Sequence, residues 1–281
     1  MSRSPTAIAP QSHSLSPLLV YVTAFSLCLV LTALVAYGVD DRLLNGVSVW
    51  SKPMKFNFSF ALHLVTLAWL WQLVQPAVRT AWPQRLLLPT AAICVLVELL
   101  YINLQAARGR HSHYNFETPW ETAMYYAVMG GSAVVIVVVT FLVGWLVWRR
   151  ARADAGPAFR LGAALGLTLS AVATLITAGA LASGVIAGPG HWVGGVRSDA
   201  SGLPLLGWST TGGDLRVPHF FATHLLQILG VAGWWMDRRR VGKPALILVA
   251  MAVLGNAVVV ATFVQAVQGK AFLSWLMPVF S

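Results

Sequence analysis

An aspartate, an arginine and two histidines stand together in the segment GGDLRVPHFFATHLLQ, residues 212–227. They are Asp214, Arg216, His219 and His224. Neutral imidazole is a good zinc ligand, and the segment RGRHSHYN supplies a third ring, His113. We therefore expect His113, His219 and His224 to converge on one transition-metal site, with zinc as the default ion. Asp214 and Arg216, which can pair through the guanidinium fork, are expected to be its catalytic partners.

The same histidines are open to other interpretations. Haem needs histidines on facing helices, and His63 and His224 are the pair that we assign to this alternative. In a membrane bundle, an imidazole also commonly hydrogen-bonds a neighbouring helix, which would make these rings structural. The sequence contains no HExxH zinc motif and no GxSxG nucleophile motif that would decide the question.

The composition indicates where these residues lie. Hydrophobic residues make up 57% of the chain and charged residues only 10%, with a mean hydropathy of +0.71. Such a composition is typical of a polytopic membrane protein. The formal net charge of +10 comes largely from arginine clusters that suit anionic lipid headgroups, so we expect no nucleic-acid partner.

Seven apolar stretches are long enough to cross a hydrocarbon layer about 30 Å thick as helices. They are residues 18–37, 56–75, 86–106, 122–148, 160–187, 219–236 and 244–267. We predict an all-α membrane protein with one seven-helix domain over 18–267, a cytoplasmic tail over 1–17 and an outer segment over 268–281.

The basic residues predict the orientation of these helices. Eleven lysines and arginines fall in one set of loops, which includes the clusters RRAR and DRRRVGK, and eight fall in the opposite set. The positive-inside rule therefore predicts a cytoplasmic N-terminus and an outer C-terminus. We expect the chain to be a multi-pass protein of a bacterial inner membrane.

Polar residues recur at helical spacing in three of the predicted spans. They are Lys55, Ser59, His63 and Thr66 in the second, Glu98, Tyr101, Gln105 and Arg108 in the third, and His219, Thr223, His224 and Gln227 in the sixth. Lipid does not readily tolerate such faces, so the three spans are expected to enclose a polar pocket. Glu98 would act there as an acid or base, and a substrate or lipid would contact Lys52, Lys55, Gln105, Arg108 and Gln227.

Three segments resemble a family of bacterial multi-spanning inner-membrane proteins. They are VSVWSKPMKF (47–56), QAARGRHSHYN (105–115) and GWSTTGGDLRVPHFFATHLLQ (207–227). The resemblance implies a location at the outer face and carries no reaction; it favours His113, His219 and His224 over His63. Ser59, His63 and the late histidine pair also resemble seven-span lipid hydrolases of the ceramidase and adiponectin-receptor kind. The pair here is five residues apart instead of four and lies in the sixth span instead of the last, which puts that likeness in doubt.

These observations predict a polar, histidine-containing pocket open to the extracytoplasmic face. A metal-dependent membrane enzyme is the first interpretation of it. A haem-binding redox protein and a transporter or channel with a polar path through the bundle are the alternatives. The expected partners are membrane lipids and a small-molecule or lipid substrate.

Overall fold

The computed structural model describes residues 16–188 and 190–274. Most of the predicted cytoplasmic tail and the end of the predicted outer segment, residues 1–15 and 275–281, lie outside this range. The long helices are α1 (Pro17–Val39), α2 (Ser51–Trp71), α4 (Leu87–Ala107), α6 (Gly130–Arg150), α7 (Pro157–Ser183), α8 (Arg216–Arg239) and α9 (Pro244–Val267). The short elements are α3 (Pro76–Thr80), α5 (Pro119–Ala123), a 3₁₀ turn (Gln84–Leu86), a π-helical segment (Met124–Met129) and four strands, β1 (Leu43–Leu44), β2 (Val47–Ser48), β3 (Trp192–Val193) and β4 (Gly213–Asp214).

Five helical stretches among the described residues are long and apolar enough to cross a membrane. They are Pro17–Val39, Gln84–Ala107, Pro119–Arg150, Pro157–Ser183 and Pro244–Val267. The other two long helices, α2 and α8, have 21 and 24 residues and carry basic residues in their first turn. Exposed apolar side chains such as Leu31 and Leu254 lie on the outer faces of α1 and α9, where they can contact lipid. The prediction of an all-α membrane protein is confirmed.

Prolines mark the beginnings of five helices. Pro17, Pro76, Pro119, Pro157 and Pro244 all lie in the first turn, where the missing N–H group needs no partner and the fixed φ angle suits a helix. This explains why the predicted stretch 244–267 coincides with α9. It does not apply to α2, which begins five residues before the predicted stretch 56–75 because its first turn, SKPMK, is polar.

Successive long helices run in opposite directions, so the bundle has two different ends. We call the end where α2, α6 and α8 finish the arginine end, because the basic clusters follow these helices there. The chain after α2 pairs there with the chain after α6 through a bridge between Val74 and Ala151. The largest apolar core cluster contains Leu67, Val95 and Val143, all fully buried, and lies towards this end.

We call the opposite end the loop end, because the segments 40–50, 108–118 and 184–215 lie there. The first of these forms a hairpin of β1 and β2, whose turn residues Asn45 and Gly46 both have positive φ angles. Asn45 O accepts a hydrogen bond from Asp199 N at 2.9 Å, and Tyr114 Oη donates to Leu181 O at 3.2 Å. The three segments therefore contact one another or the helices beneath them.

The backbones of helices α7 and α8 lie in close contact. A Cβ atom built on Gly162 would lie 2.3 Å from Leu229 O, and one built on Gly233 would lie 2.3 Å from Ala158 O. Only glycine permits so close an approach, which is a common means of packing membrane helices.

Asp237, near the end of α8, caps the beginning of α7. Its Oδ1 accepts from Ala158 N at 3.1 Å and its Oδ2 accepts from Phe159 N at 2.7 Å. Two of the unpaired N–H groups at the start of α7 are thereby satisfied, and the carboxylate meets the positive end of the helix dipole.

Candidate functional site

The predicted pair of Asp214 and Arg216 forms at the loop end. Arg216 Nε donates to Asp214 Oδ1 at 3.0 Å, and Arg216 Nη2 lies 2.7 Å from Asp214 Oδ2. The same Nη2 atom donates to Asp199 Oδ1 at 2.9 Å and to Gly207 O at 2.6 Å. One guanidinium group therefore joins two carboxylates and a carbonyl, and it holds the segment 184–215 against the start of α8.

Asp214 is only 2% exposed and is surrounded by hydrogen-bond donors. It lies on β4, which pairs with β3, and its carboxylate accepts from Ser209 N and Arg216 N, both at 3.0 Å. Gly213 lies on β4 beside Asp214 and is not part of a tight glycine turn. The structure nevertheless explains why an aspartate and an arginine precede an apolar helix. They stabilise the chain's return to the membrane.

His191 and Asp199 extend this network, and neither was predicted as a site residue. His191 Nε2 lies 3.7 Å from Asp199 Oδ1, and the imidazole centroid is 3.8 Å from the ring of Trp192. Burial lowers the pKa of His191 below its usual value. Burial alone would raise the pKa of Asp199, but the hydrogen bonds and charges of His191 and Arg216 outweigh it and hold that pKa below its usual value. The only signal in the sequence is a histidine–tryptophan pair between glycines.

A second network forms around Gln105, on the predicted polar face of α4. Gln105 Nε2 donates to Tyr101 Oη at 3.1 Å and to His111 O at 3.2 Å, while its Oε1 accepts from Arg108 Nη1 at 2.9 Å. Its Nε2 also lies 3.4 Å from Oε1 of Glu121. Tyr101, Gln105 and Arg108, which recur at helical spacing, therefore contact one another through hydrogen bonds.

Glu121, which closes this network, is 1% exposed. Arg110 Nη1 lies 3.0 Å from its Oε1, and Thr118 Oγ1 donates to its Oε2 at 3.0 Å. The Glu121 N–H donates in return to Thr118 Oγ1 at 3.2 Å, so the two residues form a capping box at the start of α5.

The histidines of the helices each contact a neighbouring side chain. His63 Nε2 lies 3.2 Å from Thr140 Oγ1, and His219 Nδ1 lies 3.1 Å from Thr177 Oγ1. The His224 ring packs on Phe220, one turn earlier in α8, with the centroids 4.3 Å apart. The first two contacts join different helices, as expected for structural imidazoles. No contact between the described residues joins His63 to His224, the pair assigned to haem.

The predicted convergence of His113, His219 and His224 on one metal ion is not supported. Within residues 16–188 and 190–274, no group of three or more His, Cys, Asp or Glu side chains is placed to hold a metal ion. The reason lies in the helix: α8 begins at Arg216, so His219 and His224 both belong to its regular turns. Five residues at about 100° each place the two rings roughly 140° apart.

Glu98 lies inside the bundle and lacks a hydrogen-bond partner. It is 3% exposed, and its Oε1 atom is fully buried without a partner among the described residues. It lies nine residues before the end of α4, about 14 Å along the helix from the loop end. The positive charge of Lys52 acts on this carboxyl, and among the described residues no direct ion pair forms with it.

The first turn of α2 presents two lysines at an uncapped helix start. Trp50 occupies the cap position and provides no side-chain hydrogen bond, and no acidic residue lies in the first turn. Lys52 Nζ lies 5.5 Å from the Phe56 ring centroid, whereas Lys55 Nζ donates to Leu206 O at 3.2 Å. Cations at the positive end of a helix dipole are destabilising, and the same end binds anions readily.

His113 lies beside this first turn of α2. Its ring centroid is 5.5 Å from that of Phe56 and 5.8 Å from that of Tyr125, and its Nδ1 lies 3.2 Å from Ser112 Oγ. Burial, followed by the positive charges of Lys52 and His219, holds the pKa of His113 well below its usual value of 6.5. The ring is therefore neutral near pH 7 and can donate or accept one hydrogen bond.

One amide pair and one further glutamine lie elsewhere among the helices. Asn57 and Asn103 exchange hydrogen bonds between α2 and α4, with distances of 3.2 and 2.9 Å. Gln227 lines a shallow apolar groove on α8 with Val231 and Trp235, and its Oε1 is buried without a partner among the described residues.

The structure thus separates the predicted site into distinct places. The charge of Lys52 interacts with both Glu98 and His113. Asp214 and Arg216 belong to a separate network, and Gln105 and Arg108 belong to another. No protein-family model matches the chain, and neither does a curated protein or a solved structure.

Proposed function

We propose that this chain is a membrane transporter that binds a small organic anion near Lys52 and couples its movement to protonation of Glu98. The observation that carries the proposal is that two ionisable groups in the loop-end half of the bundle, Glu98 and Lys52, have no partner of opposite charge in direct contact among the described residues. Glu98 is buried without a hydrogen-bond partner, and Lys52 has no carboxylate within ion-pair distance among the described residues. Ionisable groups within a membrane are costly, so they usually mark ion or substrate pathways.

The start of α2 would bind the anion. Its first N–H groups lack a side-chain cap, and the Lys52 ammonium lies 5.5 Å from the Phe56 ring, without a carboxylate partner among the described residues. Backbone N–H groups and an ammonium group together suit a carboxylate or phosphate. The neutral ring of His113, which lies against Phe56, could provide a further hydrogen bond.

Glu98 would respond to the anion through Lys52. The positive charge of Lys52 acts on the Glu98 carboxyl and favours its charged form. A bound anion neutralises that ammonium and adds a negative charge, so the carboxyl then holds a proton more tightly. When the anion leaves, the proton is held less tightly, and the two binding events are therefore linked reciprocally.

The contacts of the polar residues in the bundle favour transport over catalysis. A general base must reach the reacting group within hydrogen-bond distance, and a metal-dependent enzyme needs a converging ligand set. Among the described residues, His63 and His219 lie within hydrogen-bond distance of threonines, and Asp214 and Arg216 bind each other. A proton-exchanging carboxyl beside a cation, in contrast, needs no such set.

We also propose that all seven long helices cross the membrane, with the N-terminus in the cytoplasm of a bacterial cell. The alternating helix directions and the arginine clusters at one end support this orientation. The three segments that resemble the bacterial multi-spanning family contain Lys52, His113 and Arg216, and in this orientation they lie at the outer face. Reporter fusions test the topology: a phosphatase fused to the C-terminus should be active, and a cytoplasmic C-terminus would contradict the seven-helix count.

The coupling is tested with purified protein in liposomes that contain a pH-sensitive dye. Lactate, succinate and inorganic phosphate serve as probe anions, and an inward anion gradient should acidify the lumen. Glu98→Gln should abolish acidification, whereas the control Glu117→Gln, whose side chain is 61% exposed at the loop end, should not. Lys52→Gln should weaken anion binding roughly tenfold or more, since a hydrogen bond to a charged group contributes about 1.5–3 kcal/mol. The matched control is Lys270→Gln.

A second measurement depends on no ligand. Infrared difference spectra between acidic and alkaline pH should contain the carbonyl band of a protonated buried carboxyl, and Glu98→Gln should remove it. An unchanged band in this variant, or unchanged acidification, would show that Glu98 does not exchange the coupled proton.

A further inference from the structure

Arg79, at the arginine end, is a buried cation without a counter-ion among the described residues. It lies at the end of α3 and is 8% exposed. Its Nη1 donates to Gln72 Oε1, whereas its Nε is fully buried and has no hydrogen-bond partner within residues 16–188 and 190–274. A buried guanidinium group without an anion lowers the stability of the fold. A purely structural role therefore does not explain an arginine at this position.

The surroundings of Arg79 add positive charge and fix the backbone. The charge of Arg152 acts on Arg79, and Arg152 itself pairs with Asp154, whose side chain is 67% exposed. Gln75 N donates to Arg150 O at 2.9 Å, and Arg152 N donates to Leu73 O at 2.8 Å. The chain that precedes Arg79 is therefore held against the chain after α6 by backbone hydrogen bonds and does not rely on the guanidinium group.

Arginines stacked on tryptophans surround the same end of the bundle. The distances from guanidinium carbon to ring centroid are 5.4 Å for Arg85 on Trp82, 5.2 Å for Arg149 on Trp145 and 4.4 Å for Arg238 on Trp234. Tryptophan and arginine are typical of the headgroup layer of a bilayer. Trp82 is 67% exposed and Leu86 40% exposed, so apolar surface adjoins the loop that carries Arg79.

We infer that Arg79 binds the phosphate of an anionic phospholipid such as phosphatidylglycerol. The phosphate oxygens would accept from the two amino groups of Arg79, Nη1 and Nη2, in the forked geometry that guanidinium groups favour. Arg152 would add attraction, and the acyl chains would lie along the apolar surface near Trp82. A basic pocket between helices at a headgroup layer is a recognised kind of lipid site. This inference does not depend on the proposed transport function, because the site lies at the opposite end of the bundle.

Native mass spectrometry of the full-length protein in detergent tests the inference. With equal amounts of phosphatidylglycerol and phosphatidylcholine, the wild type should retain one phosphatidylglycerol molecule with at least roughly tenfold preference. Arg79→Gln should lose this preference and Arg79→Lys should keep part of it. The control Arg149→Gln, at the same end but exposed, should retain it in full.

Two results would overturn the inference. One is an unchanged preference in Arg79→Gln, with its thermal unfolding and elution volume confirming that it folds. The other is displacement of the lipid by millimolar inorganic phosphate, which would assign the site to a soluble anion. If Arg79→Gln does not fold, Arg152→Gln provides the same comparison: it should reduce the lipid preference, and an unchanged preference would again contradict the assignment.

Discussion

Replacing Gly162 with alanine should force α7 and α8 apart. The new Cβ atom would lie 2.3 Å from Leu229 O and 3.2 Å from the Cα atom of Gly233. Cβ contacts under 3.0 Å are essentially never seen, so the backbones must separate by at least about 0.7 Å. Overpacking of this kind costs about 1–3 kcal/mol, and the better helix propensity of alanine returns up to about 1 kcal/mol. We expect a net loss of about 1–2 kcal/mol.

The matched control is Gly179→Ala, in the same helix. A Cβ atom on Gly179 has no neighbour within 4 Å, so this change keeps the propensity gain without a clash. Thermal unfolding of the purified protein in detergent, followed by tryptophan fluorescence, should show Gly162→Ala about 2–8 °C below the wild type. Gly179→Ala should unfold at the wild-type temperature or slightly above it. Equal midpoints for the two variants would refute the close contact between α7 and α8.

Three other changes test separate features of the structure. Asp237→Ala should cost about 1–2 kcal/mol of unfolding free energy in the same assay, because α7 loses two cap hydrogen bonds and an anion at its start. A double-mutant cycle of Asn57→Ala and Asn103→Ala should give a coupling energy of about 0.6–1.7 kcal/mol. A value near zero would show that the two amide side chains do not stabilise each other. Acidification should destabilise the protein, because the pKa of His113 is lower in the folded state than its usual 6.5. The stability that the neutral ring provides is therefore present above pH 6.5. It is lost as the pH falls towards the folded-state pKa. Midpoints measured from pH 7.5 to 5 should therefore fall more steeply in the wild type than in His113→Asn.

The helices were predictable because apolar length and proline position are local properties of the chain. The prediction for α9 matches its bounds, since Pro244 begins the helix where the apolar run begins. The start of α2 was missed because hydropathy excludes a polar turn, even though Trp50 and the SKPMK segment continue directly into the helix. Local patterns therefore locate the apolar part of a membrane helix better than its polar ends.

Contacts within one segment were also predictable, whereas contacts across the bundle were not. Asp214 and Arg216 are two residues apart, so the turn between them brings them together. The cap that Asp237 provides for α7 joins residues 79 positions apart, and nothing in the cluster DRRR distinguishes this carboxylate from its basic neighbours. The metal prediction failed for the same reason: convergence of histidines depends on where α8 begins and how it is rotated.

The π-helical segment Met124–Met129 has a consequence for how this protein can change over evolutionary time. A π-helical turn contains one residue more than an α-helical turn, and one residue corresponds to a rotation of about 100°. The segment separates Glu121, which faces Arg110, from Val139 and Val143, which face the apolar core. Loss of a single codon there would restore regular α-helical turns and rotate Glu121 away from Arg110, while the core-facing side of α6 would keep its position. The loop end can thus be re-oriented by an insertion or deletion that leaves the core sequence intact, a route that point substitutions do not provide.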